Sequence, residues 1–561
     1  MTDPHYLIVG AGSAGAALAA RLSEDPNIRV LLVEAGRDTP PGAVPADIAD
    51  VFPRSSINPD YFWPGLEATR RPGGAAYPFP QARIMGGGSS VMGLWALRGM
   101  PTDFDAWERA GAVGWGWADV VKYFRRVEND IDRDGSQSSP KPYTIKRVPH
   151  DEWPRLATAF EQAVEARGLP TVPDINEHPG EGLFPMPVSR SDCERSSSAS
   201  CYLTAAVRAR HNLQIVTEAR VVALRFEGIR ATGAIIERAG ERSAVSAHET
   251  ILCAGAIHSP ALLLRAGIGP AADLQQLGIA ALADRPGVGR NLQNHPYLHF
   301  AVTAKPRMRL RPDLRHFAIA GLRLSSKLDG CPAADLLVYV ICRVSSHAFG
   351  TDLAMVGAAL YAPCSRGELT LASPDVNAPP RIAFALLQDP RDPPRLLRAA
   401  RYAESLLMDP TVAETYRDAF LLPPVMSLNQ FNRPGVAGLL LAAAAKAALN
   451  APAPLSRLIL GRALRPGRWF ADRRRRSALS DDEILSAVAP MGHPTSTCAI
   501  GRPDDPMAVV DPHCRVYGVQ NLRIVDASVM PSVPSANTNL PTIMVAERAA
   551  DLIRTESRTR S

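Results

Sequence analysis

The strongest constraint on the fold is a glycine-rich turn that directly follows an apolar run near the start of the chain. Tyr6–Val9 is apolar, residues 10–15 read GAGSAG, and residues 16–22 have a helical pattern. A second apolar run, Val30–Val33, ends on Glu34. Strand, glycine turn, helix, strand and acid in this order are typical of a dinucleotide-binding βαβ unit.

Each position of this fingerprint has a physical role. Gly10 permits the tight turn, Gly12 lets the backbone approach a pyrophosphate, and Gly15 lets helix and strand pack closely. The partial positive charge of the helix N-terminus faces the phosphates. Glu34 is placed to bind both ribose hydroxyls. The alternative interpretation is a glycine turn in an ordinary α/β domain.

Length and composition narrow the class of protein. A chain of 561 residues is too long for one simple core, so two or more domains are expected. A net charge of +6 is small for this size and argues against a dedicated nucleic-acid binder. Eight cysteines without C-x-x-C spacing indicate neither a zinc site nor a disulfide framework. With no signal-peptide pattern at the start, a cytoplasmic protein is expected.

One region carries a membrane or partner signal. Residues 436–445 are uniformly apolar but too few to span a bilayer, and Arg473 to Arg476 form a basic cluster farther on. One interpretation is peripheral contact with an anionic membrane such as the inner membrane. The other, which we favour, is a lid helix followed by a solvated basic turn. Residues 480–483 then read as a capping box.

Further segments have the sequence patterns expected of a nucleotide-binding fold. Residues 86–90 read GGGSS between apolar neighbours, and such small residues form an anion-binding concavity. Residues 213–216, 221–224 and 233–236 are strand-like, and residues 249–255 form another strand that ends on glycine. Residues 521–526 form a strand that ends on an acid.

Taken in order, these segments resemble the glucose–methanol–choline (GMC) oxidoreductase family, which binds FAD. The similarity covers nearly the whole chain, through residues 10–15, 34–36, 83–90, 254–260, 267–269, 286–292, 365–367, 493–498, 526–528 and 537–542. Residues 271–274 and 282–289 resemble the branch that holds 5-(hydroxymethyl)furfural oxidase and choline dehydrogenase-like bacterial alcohol oxidoreductases.

The resemblance implies an α/β fold with two domains. A Rossmann-like FAD-binding domain is expected to comprise residues 1–155, 198–296 and 478–561. A discontinuous substrate-binding domain, built on an antiparallel sheet flanked by helices, is expected to comprise residues 156–197 and 297–477.

The resemblance also assigns site residues. His493 is the expected proton acceptor, since the pKa of an imidazole lies near neutrality. Asn537 is expected to hold the substrate oxygen, with Asn539 as a close competitor. His295 and His513 are expected to be structural. The residues expected to contact FAD are Gly10, Gly12, Ser13, Ala14, Gly15, Glu34, Ala35, Arg83, Gly87, Gly88, Ser89, Val91, Met92, Gly93, Val221, Ala254, Asp526, Ala527, Asn537, Asn539, Pro541 and Thr542.

Four positions depart from patterns common in the family. Met92 stands where many relatives have Asn, so a hydrogen bond to the cofactor is expected to be absent. Val91 replaces a His that binds FAD covalently in some relatives, so non-covalent FAD is expected. Ser496 replaces a common Gly in the loop after His493. Gly492 stands where several relatives carry a bulky aromatic, which predicts a roomier pocket.

The resulting hypothesis is FAD-dependent oxidation of a primary alcohol, aromatic or long-chain, to the aldehyde. Oxygen, a quinone or another carrier would reoxidise the flavin, and the motifs do not distinguish between them. Two alternatives use the same fold: a hydroxynitrile lyase-like enzyme that keeps FAD without redox chemistry, and a flavin photodecarboxylase. No metal is implied.

Overall fold

The computed structural model describes residues 3–134, 141–311, 314–424, 431–432, 435–463 and 479–560. The basic cluster Arg473 to Arg476 therefore lies outside the described residues. Within them, no helix combines the length and the apolar character that crossing a membrane requires.

Short strands occur along most of the described chain. In chain order they are β1 (Tyr6–Val9), β2 (Val30–Val33), β3 (Glu67–Thr69), β4 (Ala76–Pro78), β5 (Glu128–Asp130), β6 (Tyr143–Ile145), β7 (Gly182–Pro185), β8 (Leu213–Val216), β9 (Ala219–Glu227), β10 (Arg230–Arg238), β11 (Glu241–Ser246), β12 (Glu249–Leu252), β13 (Ile268–Gly269), β14 (Ala283–Asp284), β15 (Pro296–Ala304), β16 (Ala318–Leu324), β17 (Leu336–Ile341), β18 (Leu353–Leu360), β19 (Glu368–Thr370), β20 (Arg381–Ala383), β21 (Tyr416–Leu421), β22 (Ala489–Pro490) and β23 (Leu522–Ile524).

The helices range from a single turn to six turns. They are α1 (Ser13–Leu22), α2 (Ala46–Ala49), α3 (Gly88–Val91), α4 (Pro101–Arg109), α5 (Trp117–Val127), α6 (Ile131–Asp134), α7 (Arg155–Glu165), α8 (Ser198–Tyr202), α9 (Ala205–Arg208), α10 (Gly255–Arg265), α11 (Ala271–Gln276), α12 (Asp392–Leu407), α13 (Pro410–Ala413), α14 (Gly435–Asn450), α15 (Ala453–Ala463), α16 (Asp481–Ser486) and α17 (Asn539–Arg560).

The centre of the nucleotide-binding part is a parallel sheet with the strand order β23-β12-β1-β2-β8. All residues of β1 and β2 are buried. Such complete burial is expected of a parallel sheet, whose two faces are both covered. Because parallel strands place their carboxyl ends at the same edge, the glycine turn after β1 and Glu34 after β2 meet there.

A second, larger sheet is antiparallel and has the order β21-β15-β18-β17-β16-β7, with β22 pairing on β15. Helix α12 packs across β15, β17 and β18. The predicted antiparallel substrate-binding sheet is therefore present. Its strand β22 comes from residues that the sequence analysis assigned to the other domain.

A small four-stranded sheet joins the two parts of the chain. Strands β3 and β4, near the N-terminus, continue into β20 and β19, from the predicted substrate-binding segment. The domain limits given above stay a prediction, and this sheet shows how tightly the two segments interlock.

The helix after β1 begins at Ser13, three residues before the predicted start. Its first turn is Ser13-Ala14-Gly15, small residues that leave room for the neighbouring backbone. The predicted capping box before α16 is confirmed, since the Ser480 side chain accepts from the backbone of Glu483 and the Glu483 side chain accepts from the backbone of Ser480.

Candidate active site

A long cavity starts at the carboxyl edge of the parallel sheet and reaches His493. Most of the residues predicted to contact a cofactor line it. These are Gly10, Gly12, Ser13, Ala14, Glu34, Ala35, Gly87, Gly88, Met92, Gly93, Val221, Ala254, Asp526, Ala527, Asn537, Asn539 and Thr542. They come from both ends of the chain, which the sheet brings together.

Five predicted residues lie outside this lining. They are Gly15, Arg83, Ser89, Val91 and Pro541. Val91 is fully buried, and Pro541 is buried in the first turn of α17.

The other three support the walls of the cavity. Nε of Arg83 donates to the carbonyl oxygen of Ala35 over 3.1 Å. Ser89 accepts from the backbone N–H of Ser198 over 2.9 Å. A Cβ on Gly15 would lie 1.9 Å from the carbonyl oxygen of Gly10, so only glycine lets α1 pack this closely on the turn.

Glu34 is fixed at the end of the cavity that begins at the parallel sheet. Its Oε2 accepts from the backbone N–H of Ala11 and its Oε1 from that of Gly36, each over 2.8 Å. Burial raises the pKa of this carboxyl group, although these backbone donors act in the opposite direction. Each carboxylate oxygen has a second lone pair, so hydroxyl groups of a ligand can still donate to it.

The turn between β1 and α1 fits the anionic middle of a dinucleotide. Gly10 has a φ of +98°, and a Cβ there would lie 2.7 Å from the carbonyl oxygen of Cys253. A Cβ on Gly87 would lie 2.8 Å from Cα of Gly12, so two glycine backbones approach each other in the cavity wall. Ser13 then opens α1 with N–H groups that have no intrahelical partner. Together with Glu34, this cradle fits a dinucleotide.

Asp526 acts through its neighbours. Its carboxylate accepts from the backbone N–H of Gly255 over 2.8 Å and from the hydroxyl of Ser259 over 2.6 Å. It also accepts from the N–H and the hydroxyl of Ser528 over 2.8 and 2.5 Å. These contacts tie the start of α10 to the turn that holds Ala527, so two walls of the cavity are fixed by one buried carboxylate.

At the other end of the cavity, His493 belongs to a chain of hydrogen bonds. Its Nδ1 lies 2.9 Å from Nδ1 of His295, and its Nε2 lies 3.1 Å from Nδ2 of Asn537. The hydroxyl of Tyr361 donates to Oδ1 of Asn537 over 3.0 Å, and the ring of Tyr361 stacks on that of His295. Nε2 of His295 lies 3.1 Å from the carbonyl oxygen of Pro534.

This chain determines which nitrogen of His493 carries the proton. A carbonyl oxygen only accepts, so His295 must donate to Pro534 from Nε2. In the neutral ring of His295, Nδ1 is then an acceptor, and His493 donates to it from Nδ1. Nε2 of His493 is left without a proton and accepts from the amide of Asn537.

Burial keeps both imidazoles neutral. It lowers the pKa of His493 to about 4. It also moves the pKa of His295 well below its usual value, with the neighbouring imidazole as a second cause. At neutral pH, His493 therefore presents an unprotonated nitrogen to the cavity, as a general base must.

The two candidate amides have different partners. Oδ1 of Asn539 accepts from the hydroxyl of Ser13, and Nδ2 of Asn539 donates to the hydroxyl of Tyr143, both over 2.7 Å. Asn539 therefore ties α17 to α1, whereas Asn537 contacts His493. The geometry supports Asn537, not Asn539, as the partner of the imidazole.

The wall beside His493 is largely apolar. Met92 lines it, and its thioether offers no N–H or O–H donor. A Cβ on Gly492 would meet only the side chain of Met92, at 3.9 Å or more, so this position leaves open space. Trp95 also lines the cavity and packs edge-on against Tyr339 with centroids 4.8 Å apart.

Sequence reasoning missed several residues of this site. His295, expected to be structural, contacts His493 directly, and the only available signal was its position just after the 286–292 motif. No motif pointed to Tyr361. At the other end, the ring of Trp63 packs at a tilt against that of His258 with centroids 4.3 Å apart, and burial lowers the pKa of His258 to about 3.

Comparison with known proteins agrees with this geometry. Sequence models of the GMC oxidoreductase N- and C-terminal parts match residues 4–297 and 363–546. 5-(Hydroxymethyl)furfural oxidase of Methylovorus sp. (strain MP688) is 39% identical over 99% of this chain and 100% of that protein. Oxygen-dependent choline dehydrogenase of Vibrio vulnificus (strain YJ016) is 31% identical over 98% and 94%.

Solved structures show the same fold. Pyridoxine 4-oxidase from Mesorbium loti superposes with a TM-score of 0.79 at 28% identity and covers 99% of both chains. GMC oxidoreductases bind FAD, and the cradle described above fits it. With both parts of the family matched in order along one polypeptide, the chain belongs to the GMC oxidoreductase family.

Proposed function

We propose that this protein oxidises a primary alcohol to the aldehyde, with His493 as the proton acceptor and Asn537 as the group that holds the substrate oxygen. The observation that carries the proposal is the chain of contacts from the Pro534 carbonyl through His295 to His493, from which an unprotonated Nε2 at the end of the cofactor cavity follows. Family membership and the similarity to 5-(hydroxymethyl)furfural oxidase support the same reaction class.

His493, Asn537 and Tyr361 have different roles in the proposed reaction. Nε2 of His493 takes the hydroxyl proton. Burial lowers the pKa of this imidazole to about 4, so it is fully available as an acceptor at pH 7 but is a weaker base than the near-neutral imidazole expected from the sequence. The amide N–H of Asn537 is donated to Nε2 of His493 in the structure, so an entering hydroxyl takes its place at Nε2. The amide N–H then stabilises the negative charge that develops on the substrate oxygen. Tyr361 keeps that amide in orientation by donating to its Oδ1. Bound FAD supplies the hydride acceptor.

The binding mode of FAD is part of the proposal. Val91 has no nucleophilic atom and is fully buried, so it cannot form a covalent bond to the cofactor. The residues expected to hold FAD are the cradle of Gly10, Gly12 and Gly87 and the carboxylate of Glu34. Acid precipitation should therefore release the flavin into the supernatant.

The reaction is tested by adding primary alcohols to the FAD-loaded protein without oxygen. Loss of the flavin absorbance is expected with at least one alcohol. His493→Ala should keep its FAD and slow this loss by roughly 10²- to 10⁴-fold, the usual contribution of a general base. His150→Ala, which removes an imidazole that is 65% exposed, is the matched control and should behave as wild type.

Two results would contradict the proposal. One is an unchanged rate in His493→Ala. The other is a flavin that no alcohol reduces while a cyanohydrin is cleaved, which would point to a lyase. If an alcohol does reduce the flavin, hydrogen peroxide formation under air distinguishes an oxidase from an enzyme that uses another electron acceptor.

The open space beside Gly492 predicts which alcohols fit. Alcohols with bulky or aromatic substituents should be oxidised as well as small ones. Gly492→Trp should lose the bulky substrates first, because its side chain would fill the space next to Met92, whereas Gly492→Ala should change little. Oxidation of only the smallest alcohols by the wild type would contradict this prediction.

A further inference from the structure

A concentrated apolar surface lies on helices α14 and α15. Among the described residues, seven of the twelve large apolar side chains that are exposed belong to these two helices. We call this surface the α14–α15 face; it consists of Val436, Leu439, Leu440, Leu441, Leu455, Leu458 and Ile459. Exposed fractions reach 74% for Val436 and 67% for Leu440. Isolated exposed apolar residues need no explanation, but a cluster of this kind marks a contact surface.

The inner side of these helices is already packed. Ala442 and Leu449 are buried in the hydrophobic cluster that also contains Trp95, and Met491 packs against that cluster. The two helices therefore pack on the same hydrophobic cluster as Met491, which lies two residues before His493 in the chain. Helix α14 is apolar on both its packed and its exposed side, as is typical of a helix between a protein core and a nonpolar environment.

The charge of this region indicates which kind of surface the α14–α15 face would contact. The sequence has no Asp or Glu between Asp418 and Asp472, whereas Lys446 and Arg457 lie within the two helices. Arg457 and Arg417 share the buried carboxylate of Asp418, over 2.7 and 3.0 Å, so this cluster keeps a net positive charge. A groove next to them is lined by Lys305, Arg307 and Arg417 together with a single acid.

The groove and the helices form one surface. The guanidinium of Arg417 donates to the carbonyl oxygens of Leu449 and Ala451 and to the hydroxyl of Ser456, over 2.7 to 3.0 Å. These residues connect the end of α14 to the start of α15. The basic groove is therefore held directly at the base of the apolar face.

We propose that the α14–α15 face docks on an anionic phospholipid bilayer. The exposed leucines would enter the boundary between headgroups and acyl chains, and the cations of the groove would lie at the level of the anionic headgroups. Apolar burial and headgroup attraction reinforce each other on such a surface, whereas an acidic or purely polar partner would leave the leucines exposed. The proposal does not depend on the substrate.

The test uses the full-length, FAD-loaded protein and two kinds of vesicle. Co-sedimentation is expected with vesicles of phosphatidylcholine and phosphatidylglycerol at low salt. Binding should be weaker with phosphatidylcholine alone and should decrease as salt is added, because salt screens the cationic contribution. Arg307→Glu should reduce the preference for phosphatidylglycerol.

Variants distinguish binding through the α14–α15 face from non-specific hydrophobic binding to vesicles. Leu440→Asp combined with Leu458→Asp should lower vesicle binding roughly tenfold or more, since charged groups replace the inserted side chains. Val113→Asp combined with Ile229→Asp is the matched control, because it alters two apolar residues that are 61% and 48% exposed elsewhere. FAD content and circular dichroism verify folding, and Leu440→Ser with Leu458→Ser replaces the Asp pair if that pair fails to fold.

Three results would overturn the proposal. The first is wild-type protein that stays in the supernatant with phosphatidylglycerol vesicles at low salt. The second is undiminished binding by the folded double variant. The third is a wild-type dimer that binds no vesicles and that Leu440→Asp with Leu458→Asp dissociates, which would assign the face to a second copy of the chain.

Discussion

At the scale of single residues, the site depends on a backbone carbonyl that never meets the substrate. The oxygen of Pro534 orients His295, and His295 in turn fixes the proton on Nδ1 of His493. The basic nitrogen of the proposed catalyst is thus set two hydrogen bonds away. A positioning residue of this kind affects the protonation state of its neighbour without touching the substrate.

Replacing His295 should therefore impair the chemistry more than cofactor binding. In His295→Leu, the acceptor for Nδ1 of His493 is lost, and the tautomer with a proton on Nε2 becomes accessible. A change of about 1.4 kcal/mol in the tautomer preference alters the rate of flavin reduction about tenfold. We expect at least this decrease with unchanged FAD affinity, and ¹⁵N NMR of the imidazoles should show the altered tautomer. A wild-type spectrum and rate would contradict the argument.

Ser496 allows a test of backbone strain. It is buried and has a φ of +73°, in the left-handed region that favours glycine. That conformation costs a non-glycine residue about 1–2 kcal/mol. Ser496→Gly should thus be more stable to denaturant than Ser496→Ala by about 1 kcal/mol, because both lose the hydroxyl contact to Thr495 and only glycine relieves the strain. Equal stabilities would show that the loop is unstrained.

At this scale, the site residues that could be predicted from the sequence are those that lie within a local motif. His493 and Asn537 lie in segments whose spacing matches the family, and the structure brings them to 3.1 Å. The contact between His295 and His493 joins residues 198 apart. It follows from how the parts of the fold meet, and no local pattern of the sequence contains that information.

At the scale of elements, the apolar runs that end on glycine or an acid correspond to the strands of the parallel sheet. β1, β2 and β8 have the bounds predicted from their apolar runs, whereas β12 ends at Leu252, three residues before the predicted end at Gly255, and β23 is shorter than the predicted strand 521–526. A strand that is buried on both faces is apolar at every position, so it appears in the sequence as an uninterrupted apolar run and is easy to recognise. The helix start at Ser13 was missed because small residues such as Ala14 and Gly15 carry little periodicity.

The junction of β1 and α1 leads to a prediction about packing. Gly15→Ala would place a methyl group 1.9 Å from the carbonyl oxygen of Gly10, so the helix must shift away from the turn. We expect a loss of about 1–3 kcal/mol in unfolding free energy, together with weaker FAD binding. Gly180→Ala is the control, because its added carbon meets nothing within 4 Å. Equal FAD affinities in the two variants would contradict the packing role.

At the scale of the whole molecule, several histidines are held neutral by burial in different parts of the chain. Burial lowers the pKa of His299 to about 4 and that of His258 to about 3. The unfolded chain takes up protons on these groups near pH 6.5, and the folded protein does not until the pH is lower. Each therefore contributes stability that is fully present above pH 6.5 and is lost as the pH falls toward the folded pKa.

His299 isolates one such contribution. Its Nε2 lies 2.9 Å from the hydroxyl of Tyr339, and burial favours the neutral ring. His299→Gln should lower stability at pH 7, yet between pH 7 and pH 5 it should lose about 2 kcal/mol less than the wild type. Denaturant titrations at the two pH values check this difference, in which other titrating groups cancel. Identical pH slopes would mean that folding does not change the pKa of His299.

The bond from the Ser13 hydroxyl to Asn539 closes the cofactor cavity across 526 positions of sequence. A ribosome delivers the first residues of this pair early and the last only near the end of synthesis. Throughout that interval, the nascent segment around Ser13 has its glycine turn but lacks the helix that completes the wall. Flavin capture must accordingly wait until Asn539 has been made, and the growing chain must survive the synthesis of the intervening residues without the stabilisation that the cofactor brings.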